Sequence, residues 1–332
     1  MNTLWIEKYR PASFDELLGQ QPAANVLKAC AEAENLPHLM VIGKSGTGKS
    51  AALEIFSRMF YAEAAAENTT ILPVSVMFTQ GHVYLEGCER FAHLYDKGKS
   101  VLANFKYIVK WHASLKPLSA PFRIVIFDGA GDLPKDAQAA LRRIMERYSA
   151  TCRFIFVTSS AASLIDPIRS RCVPLYFLPI EYEVIRTKLS EILKAEGKED
   201  AVTSDMLDMI SLSANGDLRR AEMYLELAAC YGVSDPAEFT KNETAALAGA
   251  ALEAAGAGDV KSAQETMETM MAGYGMTASE VLSHLRKTLH GNLTPETALV
   301  FANADVAIRE GQNEYLQINA FAAELTNVLG RR

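Results

Sequence analysis

The feature that most restricts the fold of this chain is the glycine-rich segment Gly43-Lys44-Ser45-Gly46-Thr47-Gly48-Lys49-Ser50, which fits the pattern G-x-x-x-x-G-K-[ST] throughout. It directly follows the apolar run Leu39–Ile42 and precedes residues 51–60, which have the composition of a helix. The backbone N–H groups of such a loop and the N-terminus of the next helix together form a phosphate site. The sequence therefore predicts a nucleotide site, with Lys49 at the β- and γ-phosphates and the Ser50 hydroxyl on Mg²⁺.

A second strand that ends in an acid is predicted at Ile124–Phe127, which is followed by Asp128. An acid in this position holds the water shell of Mg²⁺ in such proteins, and we assign Asp128 that role. The alternative is a buried strand with a capping aspartate. A third apolar run lies at 154–157, and residues 136–148 between the two runs are strong helix formers. Apolar runs that alternate with helices indicate a parallel sheet covered on both faces.

The rest of the chain is predicted to be helical, because the strand pattern fades after Pro174. Helices are expected over 181–196, over 204–212 and from Asp217 to about Cys230, and the sequence from Ser234 onward is rich in Ala, Glu and Met. These patterns indicate an α/β domain over 1–172, a small helical domain over 173–232 and a helical domain over 233–332.

Composition excludes several classes of protein. The five cysteines are scattered without a C-x-x-C pair, which argues against a zinc site or a disulfide framework. No apolar run is long enough to cross a bilayer, and the N-terminus lacks the apolar core of a signal peptide. We therefore expect a cytoplasmic protein, or a nuclear one in a eukaryote, with no membrane partner.

The net charge of −7 is unevenly distributed along the chain. Residues 231–332 carry 13 acidic and 7 basic side chains, whereas Lys97–Arg123 contains six basic residues and no acid. A local basic surface can bind nucleic-acid phosphates whatever the total charge is. A solvated helix face explains the same segment, and charge alone favours that explanation.

Motifs from one end of the chain to the other share the spacing of a known family. They are Trp5–Pro11 (W-x-E-K-Y-R-P), Phe14–Gln20, Asn35–Leu39, Ala137–Glu146 (Q-A-A-L-R-R-x-M-E), Asp166–Cys172 with its S-R-C, Gly216–Ala221 (G-D-x-R-R-A) and Glu310–Gln317. With the phosphate loop, they resemble the replication factor C small subunits of archaea and eukaryotes, which are sliding-clamp loaders of the AAA+ class. The resemblance spans nearly the whole chain.

The resemblance implies a RecA-like AAA+ domain, a helical lid and an all-α collar that assembles five subunits into a ring. It implies ATP and Mg²⁺ as cofactors, and large and small clamp-loader subunits, the sliding clamp and primer-template DNA as partners. By resemblance, Tyr9, Arg10 and Pro11 lie near the adenine and Arg219 senses the γ-phosphate. Arg171 of S-R-C would act in trans on a neighbour's ATP, since a guanidinium there stabilises the charge of the transition state.

Residues 109–118 align with a stretch near the tip of the family's ATP domain, V-K-E-F-A-R-T-K-P-I. On this basis Lys106 and Lys110 are predicted to contact DNA phosphates, and Trp111 or Leu115 to make apolar contact with the clamp. The alternative for Trp111 is internal packing against the sheet.

Two positions depart from the family pattern. Asp128-Gly129-Ala130-Gly131 stands where the family has D-E-A-D, so the glutamate that polarises the attacking water is replaced by Gly129. Asp132 is too far along the turn to replace it convincingly. Ser159 stands at a sensor position that is usually asparagine, and it offers fewer hydrogen bonds. Losing a general base costs about 10²–10⁴ in rate, so we expect ATP to be bound but hydrolysed poorly.

Three other functions fit parts of the pattern. A stand-alone AAA+ ATPase, such as a branch-migration motor, needs the missing glutamate. A purely structural collar subunit with a vestigial loop does not need the intact Gly48-Lys49-Ser50. A small P-loop kinase has no use for the S-R-C and G-D-L-R-R motifs or for the long helical C-terminus. Residues 75–95 do not match the acidic stretch, similar to S-D-E-R-G, that small subunits of the family commonly carry there. Sequence leaves open their role, the position in the ring and self-assembly.

Overall fold

The computed structural model describes residues 4–232, 243–289, 293–311 and 313–330. The chain divides into two compact units, Met1–Val233 and Ser234–Arg332. No helix in the described part is long and apolar enough to span a membrane.

The first unit is built on a five-stranded sheet with the strand order β2-β3-β4-β1-β5, and every neighbouring pair is parallel. The strands are β1 (Leu39–Ile42), β2 (Thr69–Pro73), β3 (Arg123–Asp128), β4 (Cys152–Thr158) and β5 (Val173–Tyr176). The predicted runs at 39–42, 124–127 and 154–157 are confirmed as β1, β3 and β4. Because all strands run the same way, the residues that follow β1, β3 and β4 meet at one edge of the sheet.

Helices of the first unit cover both faces of the sheet and continue beyond it. They are α1 (Trp5–Lys8), α2 (Gln21–Glu32), α3 (Lys49–Tyr61), α4 (Ala65–Asn68), α5 (Val74–Thr79), α6 (His82–Gly87), α7 (Glu89–Ala92), α8 (Val101–Ser114), α9 (Lys135–Tyr148), α10 (Asp166–Arg169), α11 (Tyr182–Glu196), α12 (Ser204–Ser213) and α13 (Leu218–Tyr231).

The two faces of the sheet bury separate cores, because successive side chains of a strand point to opposite sides. On β3, Val125 and Phe127 belong to one core, while Ile124 and Ile126 belong to the other. Helices α8 and α9 cover the first core, and α2 and α3 cover the second. The predicted sheet with helices on both faces is confirmed.

Two strands were not predicted, and both lie at edges of the sheet. In β2, Thr69 and Thr70 interrupt the apolar pattern, although both side chains are buried. In β5, most residues are exposed, and Pro174 is tolerated because an edge strand has an unpaired side. Strand β5 pairs with β1, so the sheet continues beyond residue 172, where the first domain was predicted to end.

The helices α11, α12 and α13 form a third core, which also includes Trp5 from α1. Trp5 is buried, and its backbone N–H donates to Glu226 Oε2 at 3.0 Å. Lys8 Nζ and the Tyr9 hydroxyl both donate to Glu196 Oε1 at 2.6 Å. The N-terminal motif is therefore fixed to the helical part of the first unit.

The described part of the second unit consists of helices around a core of its own. They are α14 (Glu243–Gly256), α15 (Val260–Tyr274), α16 (Ala278–Thr288), α17 (Pro295–Glu310) and α18 (Glu314–Leu329). Met267, Phe301 and Phe321 are buried in this core. The Thr277 hydroxyl accepts from Glu280 N–H while the Glu280 carboxylate accepts from Thr277 N–H, a reciprocal cap at the start of α16.

Candidate nucleotide-binding site

The glycine-rich segment forms a tight loop between β1 and α3. Gly46 and Gly48 have φ values of +66° and +93°, in the left-handed region that favours glycine. A Cβ on Gly43 would overlap the carbonyl oxygen of Phe177, which follows β5. The glycines of the motif are therefore needed both for the turn and for the close approach of a neighbouring segment.

This loop borders a cavity of about 380 Å³ in the first unit. The cavity brings together residues from the N-terminal segment, the ends of β3 and β4, and helix α13. The predicted nucleotide-binding residues that line it are Arg10, Pro11, Gly43, Ser45, Gly46, Thr47, Gly48, Lys49, Ser50, Asp128 and Arg219. Ser159 and Gly129 line it as well.

Tyr9 and Lys44 were predicted to bind nucleotide but are not among the residues that line the cavity. The Tyr9 hydroxyl is engaged with Glu196, and its ring packs against the core of the helices α11–α13. Lys44 contributes its carbonyl oxygen, which accepts a hydrogen bond from Thr47 Oγ1 at 2.9 Å. Both residues support the site from outside the cavity.

The Lys49 ammonium group lies at the centre of the loop. It donates to the carbonyl oxygens of Gly43, at 2.7 Å, and of Lys44. Burial lowers the pKa of Lys49, while the carboxylates of Asp128 and Asp217 act to raise it. A phosphate oxygen is a stronger hydrogen-bond acceptor than either carbonyl oxygen. The ammonium group of Lys49 would therefore exchange these two hydrogen bonds for bonds to a bound phosphate.

Ser50 and Asp128 are the two residues whose side-chain oxygens are predicted to coordinate Mg²⁺. Both side chains line the cavity, from the first turn of α3 and the end of β3. Within the described residues no group of three or more His, Cys, Asp and Glu could hold a metal. Mg²⁺ commonly keeps several waters and uses one or two protein oxygens with substrate phosphates, so two oxygens are sufficient here.

Gly129 has a backbone conformation that opposes a side chain. Its φ is +71°, and a Cβ would lie 2.8 Å from Ser75 Oγ. The same Cβ would lie 3.6 Å from Asp132 Oδ2, so Asp132 is closer in space than its position along the turn suggested. However, the Ser75 hydroxyl donates to that carboxylate oxygen, and Asp132 is not among the residues that line the cavity.

Helix α13 begins directly against the phosphate loop. Leu218 N–H donates to the carbonyl oxygen of Gly46 at 3.3 Å, and a Cβ on Gly46 would overlap the Asp217 carboxylate. Asp217 also caps the helix by accepting from Arg220 N–H at 3.0 Å. Arg219 is thereby held at the cavity, and the Asp217 contact was not predicted from sequence.

Glu222 is a second residue that sequence reasoning missed. It lines the cavity from α13 and is only 5% exposed. Burial raises the pKa of Glu222 to about 8, although Lys188 and Arg219 act to lower it. Glu222 is three residues from Arg219, so both side chains lie on one face of the helix. This spacing was the sequence signal that could have assigned Glu222 to the cavity.

Arg171 does not line the cavity of its own chain. Its guanidinium bonds to Glu146 Oε1 at 2.6 Å and to the Pro167 carbonyl oxygen at 2.7 Å. Arg142 also reaches Glu146 Oε1, at 3.3 Å. Hydrogen bonds from Arg142 and Arg171 lower the pKa of Glu146.

The six basic residues of the segment Lys97–Arg123 differ in how freely their charges are exposed. Lys97 and Lys99 pair with Glu86 at 3.7 Å and with Asp96 at 2.8 Å, and Arg123 is buried in β3. Lys106 and Lys110 form no ion pair with any other described residue. They are four residues apart and therefore share one face of α8.

Trp111 and Leu115, the predicted clamp contacts, are both half-buried. Trp111 packs against the core on the α8 side of the sheet, and its ring lies edge-on to His93 at 5.4 Å between centroids. Much of the Trp111 side chain therefore packs inside the protein, as the alternative to a clamp contact predicted.

Comparison with known proteins identifies the family. A family model described as DNA polymerase III, delta subunit, matches residues 19–181. The replication factor C small subunit of Archaeoglobus fulgidus is 30% identical, over 98% of each chain. Small subunit 1 of Pyrobaculum islandicum is 31% identical, over 98% of this chain and 94% of the relative. The chain belongs to the replication factor C small subunit family.

Solved structures show the same fold at much lower identity. The T158V variant of Thermotoga maritima RuvB has a TM-score of 0.51 and 14% identity, over 85% of this chain and 88% of RuvB. Aeropyrum pernix ORC1, solved in complex with DNA, has a TM-score of 0.51 and 18% identity, over 98% of this chain and 87% of ORC1. These similarities confirm the RecA-like AAA+ architecture with additional helices.

Proposed function

We propose that this replication factor C small subunit binds ATP with Mg²⁺, hydrolyses it slowly and donates Arg171 to the nucleotide of a neighbouring subunit. In this role it takes part in opening the sliding clamp and loading it onto primer-template DNA. One observation carries the proposal: a complete phosphate loop and Asp128 share a cavity with Gly129, which has no side chain to orient water.

ATP binding is supported by the distribution of charge in the cavity. Lys49 and Arg219 line the cavity as cations, and the loop leads directly into the N-terminus of α3, where a phosphate is favoured. Ser50 and Asp128 would hold the Mg²⁺, which neutralises charge on the phosphate oxygens. The residues that would bind the phosphates and Mg²⁺ are therefore all present.

Slow hydrolysis is supported by what replaces the water-activating groups. Gly129 carries no carboxylate, and the Asp132 carboxylate is engaged by Ser75. Ser159 has a shorter side chain than asparagine and one hydroxyl in place of an amide. Removal of a general base alone slows such reactions by about 10²–10⁴.

Action in trans is supported by the location of Arg171 away from its own cavity. In a five-membered ring, residues 233–332 would form the collar that assembles large and small subunits, and the part of residues 173–232 that follows β5 would form the lid. The ATP-binding domain would extend from residue 1 through β5. Lys106 and Lys110 would contact DNA phosphates, and Leu115 with the exposed part of Trp111 would contact the clamp.

The decisive test uses a complex in which the phosphate loops of all other subunits are disabled. ATP binding is measured by equilibrium titration and hydrolysis by single turnover, for the wild-type chain and for Lys49→Ala. Lys44→Ala is the matched control, since Lys44 belongs to the same loop but does not line the cavity. We expect the wild type and the control to bind ATP with little turnover, and Lys49→Ala to lose binding. Rapid turnover would contradict the account of Gly129, and absence of binding would favour a purely structural subunit.

A further inference from the structure

Tyr107 lies on the outer face of helix α8, and its side chain is 50% exposed. The opposite face of this helix carries Phe105 and Ile108, which are buried in the core on that side of the sheet, and Tyr107 does not belong to that core. Ala103 is one turn before Tyr107 and Ser114 is two turns after it, so small residues lie on either side of the ring along the helix. The ring therefore stands on an open surface that the packing of the fold does not require.

Two unpaired cations lie beside this ring. Neither Lys106 nor Lys110 forms an ion pair or a hydrogen bond with another described residue. At 3.6 residues per turn, Lys106, Lys110 and Tyr107 lie within an arc of about 100° around the axis of α8. The outer face of the helix thus presents two positive charges and one aromatic ring together.

The ring of Tyr107 is not engaged by its own chain. The ammonium group of Lys99 lies 6.0 Å from the ring centroid, at the limit of a cation–π contact, and it pairs with Asp96 at 2.8 Å. Tyr107 makes no hydrogen bond through its hydroxyl and no contact with another aromatic ring among the described residues. A ligand could therefore stack on the ring without displacing a strong contact.

The other exposed aromatic side chains in the described part of the first unit lack such cations. Tyr176 at the end of β5 is 58% exposed, and Tyr231 at the end of α13 is 71% exposed. Neither has a lysine or an arginine within four residues in the sequence. Exposure alone does not distinguish Tyr107, but the combination of an exposed ring with two unpaired cations does.

Single-stranded DNA is the ligand whose chemistry complements this surface. Its phosphates attract lysines, and each unpaired base has a free face that stacks on an aromatic side chain. In a duplex the faces of the bases are covered by the neighbouring base pairs, so the ring would have no partner there. A surface that served only to hold duplex phosphates would use the two lysines and leave the ring without a role.

We propose that Tyr107, Lys106 and Lys110 form a binding site for single-stranded DNA, in which an unpaired base stacks on the tyrosine ring and adjacent phosphates pair with the lysines. The inference rests on the proposed function for the phosphate contacts of the two lysines. It adds the base contact and the residue that makes it. It also assigns to this helix the unpaired template of the primer-template substrate.

Three ligands that share a phosphate backbone separate stacking from charge. The full-length chain is titrated with an oligothymidylate, with an abasic oligomer of the same length and with a duplex. Tyr107→Ala should lose affinity for the oligothymidylate by about 5- to 150-fold and keep its affinity for the other two ligands. Tyr107→Phe retains the ring and should bind all three ligands as the wild type does.

Salt dependence provides a second measurement. Stacking releases no counterions, so Tyr107→Ala should keep the wild-type slope of log affinity against log salt, whereas Lys106→Glu with Lys110→Glu should lower the slope. Tyr231→Ala is the matched control, because it removes an exposed tyrosine that has no cation beside it, and it should change neither affinity nor slope. A merely structural role of Tyr107 would not produce a loss confined to the ligand with unpaired bases.

The outcomes distinguish this inference from the function on which it rests. If Tyr107→Ala loses no affinity, or loses it equally for the oligothymidylate and the abasic oligomer, the stacking role is wrong while the phosphate contacts stand. If Tyr107→Ala binds all three ligands normally but weakens binding of the clamp by the assembled loader, the ring contacts the clamp instead. A wild-type chain that binds none of the ligands, or an unchanged slope in the double lysine variant, would overturn the DNA contacts of the proposed function and the inference with them.

Discussion

Arg171 and Glu146 form an ion pair at 2.6 Å, although they belong to motifs that are separate in the sequence. Arg142 shares the same carboxylate from one turn earlier on α9. Exposed ion pairs of this kind contribute only about 0–1 kcal/mol to stability, so the pair holds the guanidinium in place without a large cost for its release. Under the proposed function, the triphosphate of a neighbouring subunit would be a more highly charged partner than this single carboxylate.

The first prediction concerns this arginine. Arg171→Ala should leave ATP affinity of its own chain unchanged, because Arg171 does not line the cavity. Hydrolysis at one neighbouring site should fall by about 10³-fold, the scale of an arginine finger. Steady-state and single-turnover hydrolysis by the assembled loader measure the effect.

Arg169→Ala is the matched control for Arg171→Ala. Arg169 is two residues away and pairs with Asp166 within its own short helix. An assembled complex in which both variants turn over ATP at the wild-type rate would show that Arg171 has no part in hydrolysis.

The second prediction concerns restoration of the missing glutamate. Gly129→Glu should give no gain in hydrolysis, because φ of +71° and the nearby Ser75 hydroxyl oppose a side chain there. The left-handed conformation alone costs about 1–2 kcal/mol for a residue with a Cβ. Thermal unfolding should therefore show a lower Tm.

Gly129→Ala carries the same backbone strain without a carboxylate, and it separates the two effects. Both variants should lose similar stability and hydrolyse ATP as slowly as the wild type does. A large gain in single-turnover rate for Gly129→Glu over Gly129→Ala would mean that the loop adapts and that one carboxylate was the only missing part.

The third prediction concerns stability and pH. Because the pKa of Glu222 is about 8 in the folded chain and 4.5 as a free side chain, the folded state holds this proton more tightly than the unfolded state. The resulting stabilisation is fully present below pH 4.5 and is lost as pH rises through about 8, at ~1.4 kcal/mol per unit of pKa shift. Glu222→Gln removes this dependence.

Thermal unfolding of the two proteins from pH 5 to pH 9 measures the effect without nucleotide. The Tm of Glu222→Gln relative to the wild type should rise from pH 5 to about pH 8 and level off above it. Parallel curves would show that the carboxyl group is solvated in the folded chain and has an ordinary pKa.

Much of the sheet and the phosphate loop could be predicted because their signals are local. The loop pattern, the apolar run before it and the helix after it are contiguous in the sequence. The edge strands lacked such a signal: Thr69 and Thr70 are polar residues buried by their neighbours, and Pro174 ordinarily marks the end of a strand.

Contacts between distant motifs could not be predicted in the same way. Asp217 against Gly46, Glu146 against Arg171 and Asp132 near Gly129 depend on how segments fold back on one another. Periodicity assigned Glu222 to a helix, but only the packing of α1 and α13 shows that it is buried at the cavity.

The last prediction concerns DNA. Lys106→Glu with Lys110→Glu should lower DNA-stimulated ATP hydrolysis by the assembled loader, because both cations are unpaired among the described residues and share one helix face. Each phosphate contact contributes about 0.9 to the slope of log affinity against log salt, so the slope should fall by about 2. Lys97→Glu with Lys99→Glu is the control, since it changes the net charge equally but alters cations already paired with Glu86 and Asp96. If the two double variants weaken DNA binding equally, the effect is one of total charge, and the assignment of Lys106 and Lys110 is wrong.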